Sequence, residues 1–195
     1  MKYDFPDNQD EILPNIPGLK SLEDIALSEF EGFLKAEIQL TENLTDKTKF
    51  NGSYVLKIHK LALGHLYSFA GKYRDVNMSK GGFTFAAARF LPETMKTFES
   101  EILSNLPVKY ITRDALIKDI AQVHGELLFI HPFREGNGRT ARILANLMCR
   151  KQGYDALQFQ LITEKEFDAY ISAVQLSAGK NYAKMEEIIR FIFPG

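Results

Sequence analysis

Pro132 interrupts what would otherwise be one long helical stretch. Residues 113 to 130 read as one helix and residues 137 to 152 as the next. Proline disfavours helical geometry in the residue before it, so the first of these ends at Ile130–His131. The second begins near Asn137, after a short segment that contains Gly136. The chain must therefore fold here as helix, tight loop and helix.

The flanking sequence is consistent with a helical scaffold. Ser21-Leu22-Glu23-Asp24 offers a capped helix start, and Leu22, Ile25, Ala26, Glu29, Phe33, Ala36 and Leu40 recur three or four apart. Residues 41 to 52 are polar and loop-like. A second helix is predicted over 53–69, buried through Val55, Ile58, Leu61, Ala62 and Leu66 and ended by Ala70-Gly71. Arg74 to Ser79 and Phe83 to Ala86 flank Lys80-Gly81-Gly82, which reads as an isolated β-hairpin and a mobile flap. Further helices are predicted at 87–104, 164–177 and 181–192. Pro6, Pro14, Pro17 and Gly18 mark residues 1–20 as an extended arm, leaving 21–195 as a single domain. The fold class is all-α: a helical bundle with one small hairpin.

At 195 residues the chain can bury one substantial core. A hydrophobic share of 45% argues against disorder. The net charge of −1 gives no reason to expect nucleic acid or an anionic membrane as the main partner. The single Cys149 cannot form an internal disulfide and reads as a small core residue. No secretory signal pattern and no span-length apolar run are visible, so the expected location is the cytoplasm. Delivery by a secretion machine that reads other signals stays open.

The loop concentrates unusual chemistry. A helix start leaves amide N–H groups without partners and carries partial positive charge, which suits an anion. Gly136 and Gly138 allow close backbone approach, and Asn137 can donate its side-chain amide. Arg139 and Arg142 share a helix face, and their planar forks match phosphate oxygens. Glu135 suits the site only once a cation is added, as when Mg²⁺ is held by one carboxylate and phosphates. His131, at the loop entrance, suits proton abstraction near neutral pH. Taken singly, each feature has a bland explanation in a turn or a solvated face. Their convergence in one segment points to a nucleotide site.

The run His131-Pro132-Phe133-Arg134-Glu135-Gly136-Asn137-Gly138-Arg139-Thr140-Ala141-Arg142 resembles the Fic motif, HPFx[D/E]GNGRxxR, at every specified position. Leu66 to Arg74 is similar to the family's YxWAGxxR segment, with Phe69 where tryptophan is common. The likeness extends over roughly residues 20 to 192. It implies a protein adenylyltransferase that moves AMP from ATP to a Ser, Thr or Tyr hydroxyl of a target protein. His131 would be the general base, and Glu135 would bind Mg²⁺. Gly136, Asn137 and Gly138 would cradle the phosphates, and Arg139 and Arg142 would hold the β- and γ-phosphates. Phe83, Thr84, Phe85 and Ala86 would form a flap that clamps the target's backbone by strand addition. Doc kinases, in the same superfamily, carry lysine where this chain has Gly138, which argues against phosphoryl transfer here. UMP or phosphocholine transfer, removal of AMP, or nucleotide binding without turnover remain alternatives.

Many relatives carry an inhibitory [S/T]xxxE[G/N] helix. Glu31-Gly32 is the nearest approach, but Leu27 stands at the hydroxyl position. The resemblance therefore implies either a separate small antitoxin that supplies the glutamate, the favoured reading, or Glu31 as a degenerate internal brake. His59 and His65 are six apart, off one helix face, and are not expected to pair on a metal.

Overall fold

The structure is a computed structural model that describes residues 12–80 and 82–195. Residues 1–11 of the expected arm, and Gly81 of the hairpin turn, lie outside the described residues. The rest of the arm lies on the domain. Leu13 is buried in the core, and the Ile16 amide donates to the Leu66 carbonyl at 2.8 Å.

Seven helices and one two-stranded sheet make up the described chain. They are α1 (Leu22–Glu42), α2 (Gly52–Leu63), β1 (Ser79–Lys80), β2 (Phe83–Thr84), α3 (Leu91–Glu101), α4 (Arg113–Ile130), α5 (Asn137–Lys151), α6 (Glu164–Ser177) and α7 (Ala183–Ile192). Local chemistry sets several starts. Ser21, Asn51 and Thr112 each accept from a backbone N–H of the first turn, and Thr163 and Glu166 form a capping box.

The central helix is α4, which packs against α3, α5, α6 and α7, while α1 and α2 pack on each other and on α5. Ile117, Ile120, Leu144, Leu147 and Ile189 are fully buried along this axis. Both helices that flank the Pro132 loop therefore belong to the core, and the loop is carried between them. The hairpin pairs Ser79 with Thr84 and Lys80 with Phe83, antiparallel.

Two predicted helices are shorter than their periodicity suggested. α2 stops at Leu63, and turns then run from Leu66 to Gly71. Those turns keep Leu66, Tyr67 and Ala70 buried as a helix would, so apolar spacing alone did not mark the break. The segment predicted at 87–104 is a helix only over Leu91–Glu101, flanked by single 3₁₀ turns. Among the described residues no helix is long and apolar enough to cross a membrane.

Candidate active site

The loop begins with a strained residue. His131 caps α4 in the left-handed region, φ 53°, which a non-glycine side chain adopts at some cost. Arg74 holds it there. Its Nε donates to the His131 carbonyl at 2.8 Å, and its backbone N–H donates to the Pro132 carbonyl at 2.9 Å. The remaining nitrogens of this buried guanidinium donate to the Val76 and Ala86 carbonyls, so one arginine ties the loop to both ends of the hairpin segment.

The His131 ring is fixed by two contacts. Nδ1 lies 3.2 Å from the Leu128 carbonyl, which can only accept, so the neutral ring carries its proton there and the lone pair sits on Nε2. Phe85 stacks on the other side, with ring centroids 3.9 Å apart. Burial pushes the His131 pKa down to about 4; the charges of Arg74 and Lys80 add to this, while Leu128 and Glu135 oppose it. At neutral pH the imidazole is an uncharged base.

Further along, Phe133 is fully buried and stacks on His59 with centroids 3.8 Å apart. His59 accepts from the Gly71 N–H at Nδ1, 2.8 Å away, so Nε2 carries the proton and donates to the Glu135 carbonyl at 2.9 Å. Its spacing from His65 speaks against a metal role. Its role is instead to fasten the loop to α2 and to the turn at Gly71. Only the proximity of the motif in space reveals this.

Asn137 also differs from expectation. Its Oδ1 accepts from the Phe133 N–H at 2.8 Å and its Nδ2 donates to the Phe133 carbonyl at 2.6 Å. The side-chain amide that was expected to meet phosphate closes the loop on itself. What Asn137 can offer an anion is its main-chain N–H in the first turn of α5.

The two glycines play different parts. Gly136 has φ 75°, and a Cβ there would lie 2.8 Å from Phe33 Cζ, so both the backbone and the packing require glycine. At Gly138 a Cβ would meet nothing within 4 Å. Nothing in the fold itself requires glycine at that point, where it costs about 1 kcal/mol of helix propensity relative to alanine. The α5 start has no side-chain cap, so no capping side chain takes up its first-turn amides.

Glu135 is buried, accepts from the Gly136 N–H at 2.9 Å, and lies 3.4 Å from Arg139 Nη2. Arg139 Nη2 also meets Glu29 Oε2 at 2.5 Å, and the guanidinium lies over the Phe33 ring. Glu29, a buried α1 residue whose only mark in the sequence is helix periodicity, accepts from the Tyr67 hydroxyl at 2.6 Å as well. Glu31, the candidate internal brake, points elsewhere. It pairs with Lys35 at 3.0 Å on the exposed face of α1, two residues round the helix from the face that reaches the loop. Arg142 lies one turn beyond Arg139, with its guanidinium over Phe159 and a buried Nε that has no hydrogen-bond partner among the described residues.

The expected flap is smaller than the sequence suggested. Phe83 and Thr84 form a two-residue strand, while Phe85 is buried against His131 and the Ala86 carbonyl is held by Arg74. Strand addition can use only the short outer edge, because Phe85 roofs the imidazole.

No group of three or more His, Cys, Asp or Glu side chains suited to a metal exists among the described residues. One buried carboxylate, Glu135, is nevertheless the kind of protein ligand that suffices for Mg²⁺ when phosphates supply other oxygens.

The Fic/DOC family model matches residues 49–149, just over half of the chain, and the chain belongs to that family. It is 31% identical over 144 residues to a protein adenylyltransferase Fic of Aedes aegypti, covering 71% of this chain and 26% of that protein. It is 29% identical over 126 residues to the protein adenylyltransferase VbhT of Bartonella schoenbuchensis, covering 63% of this chain and 26% of that one. The chain thus spans about a quarter to a third of the length of the curated relatives it matches. Among solved structures, BepC of Bartonella tribocorum with bound AMPPNP superposes with a TM-score of 0.79 at 21% identity, covering 97% of this chain and 96% of that chain. The N-terminal Fic domain of a cell filamentation protein of Bartonella quintana, with bound ADP, gives 0.78 at 23% identity, covering 97% and 94%. At those identities the agreement is one of fold: a Fic-type helical bundle with a small hairpin.

Proposed function

We propose that residues 21–195 act as one catalytic domain, a protein adenylyltransferase that moves AMP from ATP to a Ser, Thr or Tyr hydroxyl of a target protein. The observation that carries this reading is the combination at the start of α5. Uncapped amides open at a glycine that the fold does not require, on a loop whose first residue is a neutral, oriented imidazole. Family membership and adenylyltransferase relatives support the same assignment.

In this mechanism the amides of Asn137, Gly138 and Arg139 receive the phosphates, and Arg139 and Arg142 take the β- and γ-phosphates. His131 Nε2 accepts the proton of the target hydroxyl as its oxygen attacks the α-phosphorus. The bond from that phosphorus to the β-phosphate oxygen breaks, and pyrophosphate leaves. Glu135 would hold Mg²⁺, which when bound neutralises charge on the polyphosphate. The edge of Phe83–Thr84 would guide the target segment, while Phe85 keeps water from the imidazole. The cytoplasm, which supplies ATP and Mg²⁺, is the proposed workplace. Because α1 brings its buried carboxylate to Arg139, this reading looks to a separate small antitoxin for restraint at Arg142.

The test is label transfer in a cell lysate. ATP labelled at the α-phosphate should leave label on protein and ATP labelled at the γ-phosphate should not. Label from the γ position would mean phosphoryl transfer and end this reading.

A further inference from the structure

Beside the loop lies a cleft of about 340 Å³ that the reaction as described does not use. Phe69 and Tyr73 give it aromatic walls, and Lys72, Arg74, Asp75 and Arg134 give it charge. Arg134 stands at a position that the motif leaves open. Among the described residues, the side chains of Arg134 and Lys72 have no hydrogen-bond or ion-pair partner, and the exposed Asp75 pairs with neither. Arg74 adds a third positive charge, and this one is buried, at 4% exposure. It donates to the carbonyls of His131, Val76, Ala86 and, at 3.5 Å, Ile130. Those oxygens satisfy its N–H groups, and the C-terminal dipole of α4 offsets part of the charge, but no carboxylate among the described residues meets it.

Two cations alone would be an ordinary solvated face. The cleft and the buried third charge set this pair apart. Buried charges are ordinarily paired, and a buried charge is screened by salt much less than a surface one. Three cations against one exposed carboxylate leave the cleft net positive. An anion entering it gains from all three, and the planar fork of Arg134 matches a carboxylate in shape. The rings of Phe69 and Tyr73 offer apolar surface to the carbon stem of a short side chain, which a free inorganic ion lacks.

The cleft is tied to the reacting centre through Arg74, which lines it and also holds the His131 carbonyl at 2.8 Å. Arg134 lies three residues beyond His131, a span of at most about 11 Å of chain. An extended target segment advances about 3.3 Å per residue, so a side chain within about four residues of the acceptor reaches that far. We infer that the cleft takes an acidic side chain of the target protein, Asp or Glu, close in sequence to the acceptor hydroxyl, and that Arg134 and Lys72 select for it. The inference rests on the proposed adenylyl transfer and narrows its substrates to acceptor hydroxyls in acidic segments.

The experiment gives the full chain Mg²⁺, ATP labelled at the α-phosphate, and peptide libraries with one central Ser, Thr or Tyr. Each flanking position is fixed in turn as Asp, Asn, Arg or phosphoserine. At one flank within about four residues of the acceptor, Asp is expected to be labelled about tenfold more than Asn, the worth of one charge-assisted hydrogen bond, and Arg least. In the double variant Arg134→Gln, Lys72→Gln that preference should vanish while labelling of the Asn library holds, and Arg134→Glu should turn the preference toward Arg. Equal labelling of Asp and Asn by the wild type overturns the inference, as does a preference that survives the double variant or an equal fall in both libraries. Phosphoserine labelled far above Asp would make the cleft a phosphate site instead. An Asp preference that emerges only when Asp4, Asp7, Asp10 and Glu11 are all changed to their amides would make the chain's own acidic stretch the occupant, and overturns it too. Label on lysate proteins but on no peptide would mean recognition of a folded surface rather than a segment, against the inference. Label on neither ends the proposed function itself, and the inference with it.

Discussion

Glu29 Oε2 meets Arg139 Nη2 at 2.5 Å, so the longest helix of the chain reaches into the loop through one carboxylate. Tyr67 holds the other oxygen of Glu29 at 2.6 Å. Arg139 thus faces two carboxylates, Glu29 and Glu135, before any phosphate arrives. Glu29→Gln keeps the shape and an acceptor for Tyr67 but removes the competing charge. Mg²⁺-ATP affinity is expected to rise severalfold, and thermal stability to fall by about 1–3 kcal/mol because a buried partner is lost. Calorimetry and a thermal melt measure both. Weaker ATP binding in the variant would show that Glu29 aims Arg139 rather than occupying it.

His131 occupies a left-handed backbone position, φ 53°. Asparagine tolerates that geometry, so His131→Asn removes the base with little strain. Transfer from α-labelled ATP should fall by about 10²- to 10⁴-fold while the melting temperature stays within a few degrees. The pH profile adds a second check. With the imidazole pKa lowered to about 4, kcat/KM should rise through that region and already be flat where an ordinary histidine is still titrating, near 6.5. An acid limb centred near 6.5 would show that His131 is either hydrated or not the base.

The loop and its two helices were legible in the sequence because Pro132, Gly136 and the periodicity around them are local signals. α4, α5, α6 and α7 begin and end within a few residues of expectation for the same reason. What the sequence did not show lies across space. Periodicity put Glu29 on the inward stripe of α1 and left Glu31 off it, but it could not show that the Glu29 carboxylate meets Arg139 across the packing of α1 on α5. His59 and Arg74 serve the loop from 76 and 57 residues away. The Asn137 side chain had two possible partners, phosphate or its own loop, and sequence could not rank them.

Gly136 and Gly138 offer a paired test of site against scaffold. Alanine at Gly136 must adopt φ 75° and displace the Phe33 ring. A stability loss of about 1–3 kcal/mol follows from strain and overpacking. Alanine at Gly138 enters open space in the first turn of α5, so stability should hold or rise by up to about 1 kcal/mol. Its methyl group would stand where phosphate approaches the amides, and Mg²⁺-ATP binding should drop by at least about tenfold. Denaturant unfolding and calorimetry on both variants separate the two cases. Undiminished ATP affinity in Gly138→Ala would place the nucleotide elsewhere.

Two histidines outside the reaction make a case about acid. His59 and His124 are 0% and 1% exposed, each with its pKa lowered to about 4 by burial. In the unfolded chain both titrate near 6.5. Between those values the unfolded state binds more protons than the folded one, so stability rises with pH and is lost as pH falls from about 6.5 toward 4. The slope is at most about 1.4 kcal/mol per pH unit for each group, and domains of this kind are stable by only about 5–15 kcal/mol. The two side chains alone therefore remove a substantial part of the total by pH 5. Urea unfolding should show an unchanged midpoint from pH 7.5 to 7 and a steady decline from 6.5 to 5, with about two protons taken up on unfolding at pH 5.5 from these groups. Carboxylates contribute mainly below that range, so a midpoint that stays level down to pH 5 would mean that water reaches both rings and that neither is held neutral by the fold.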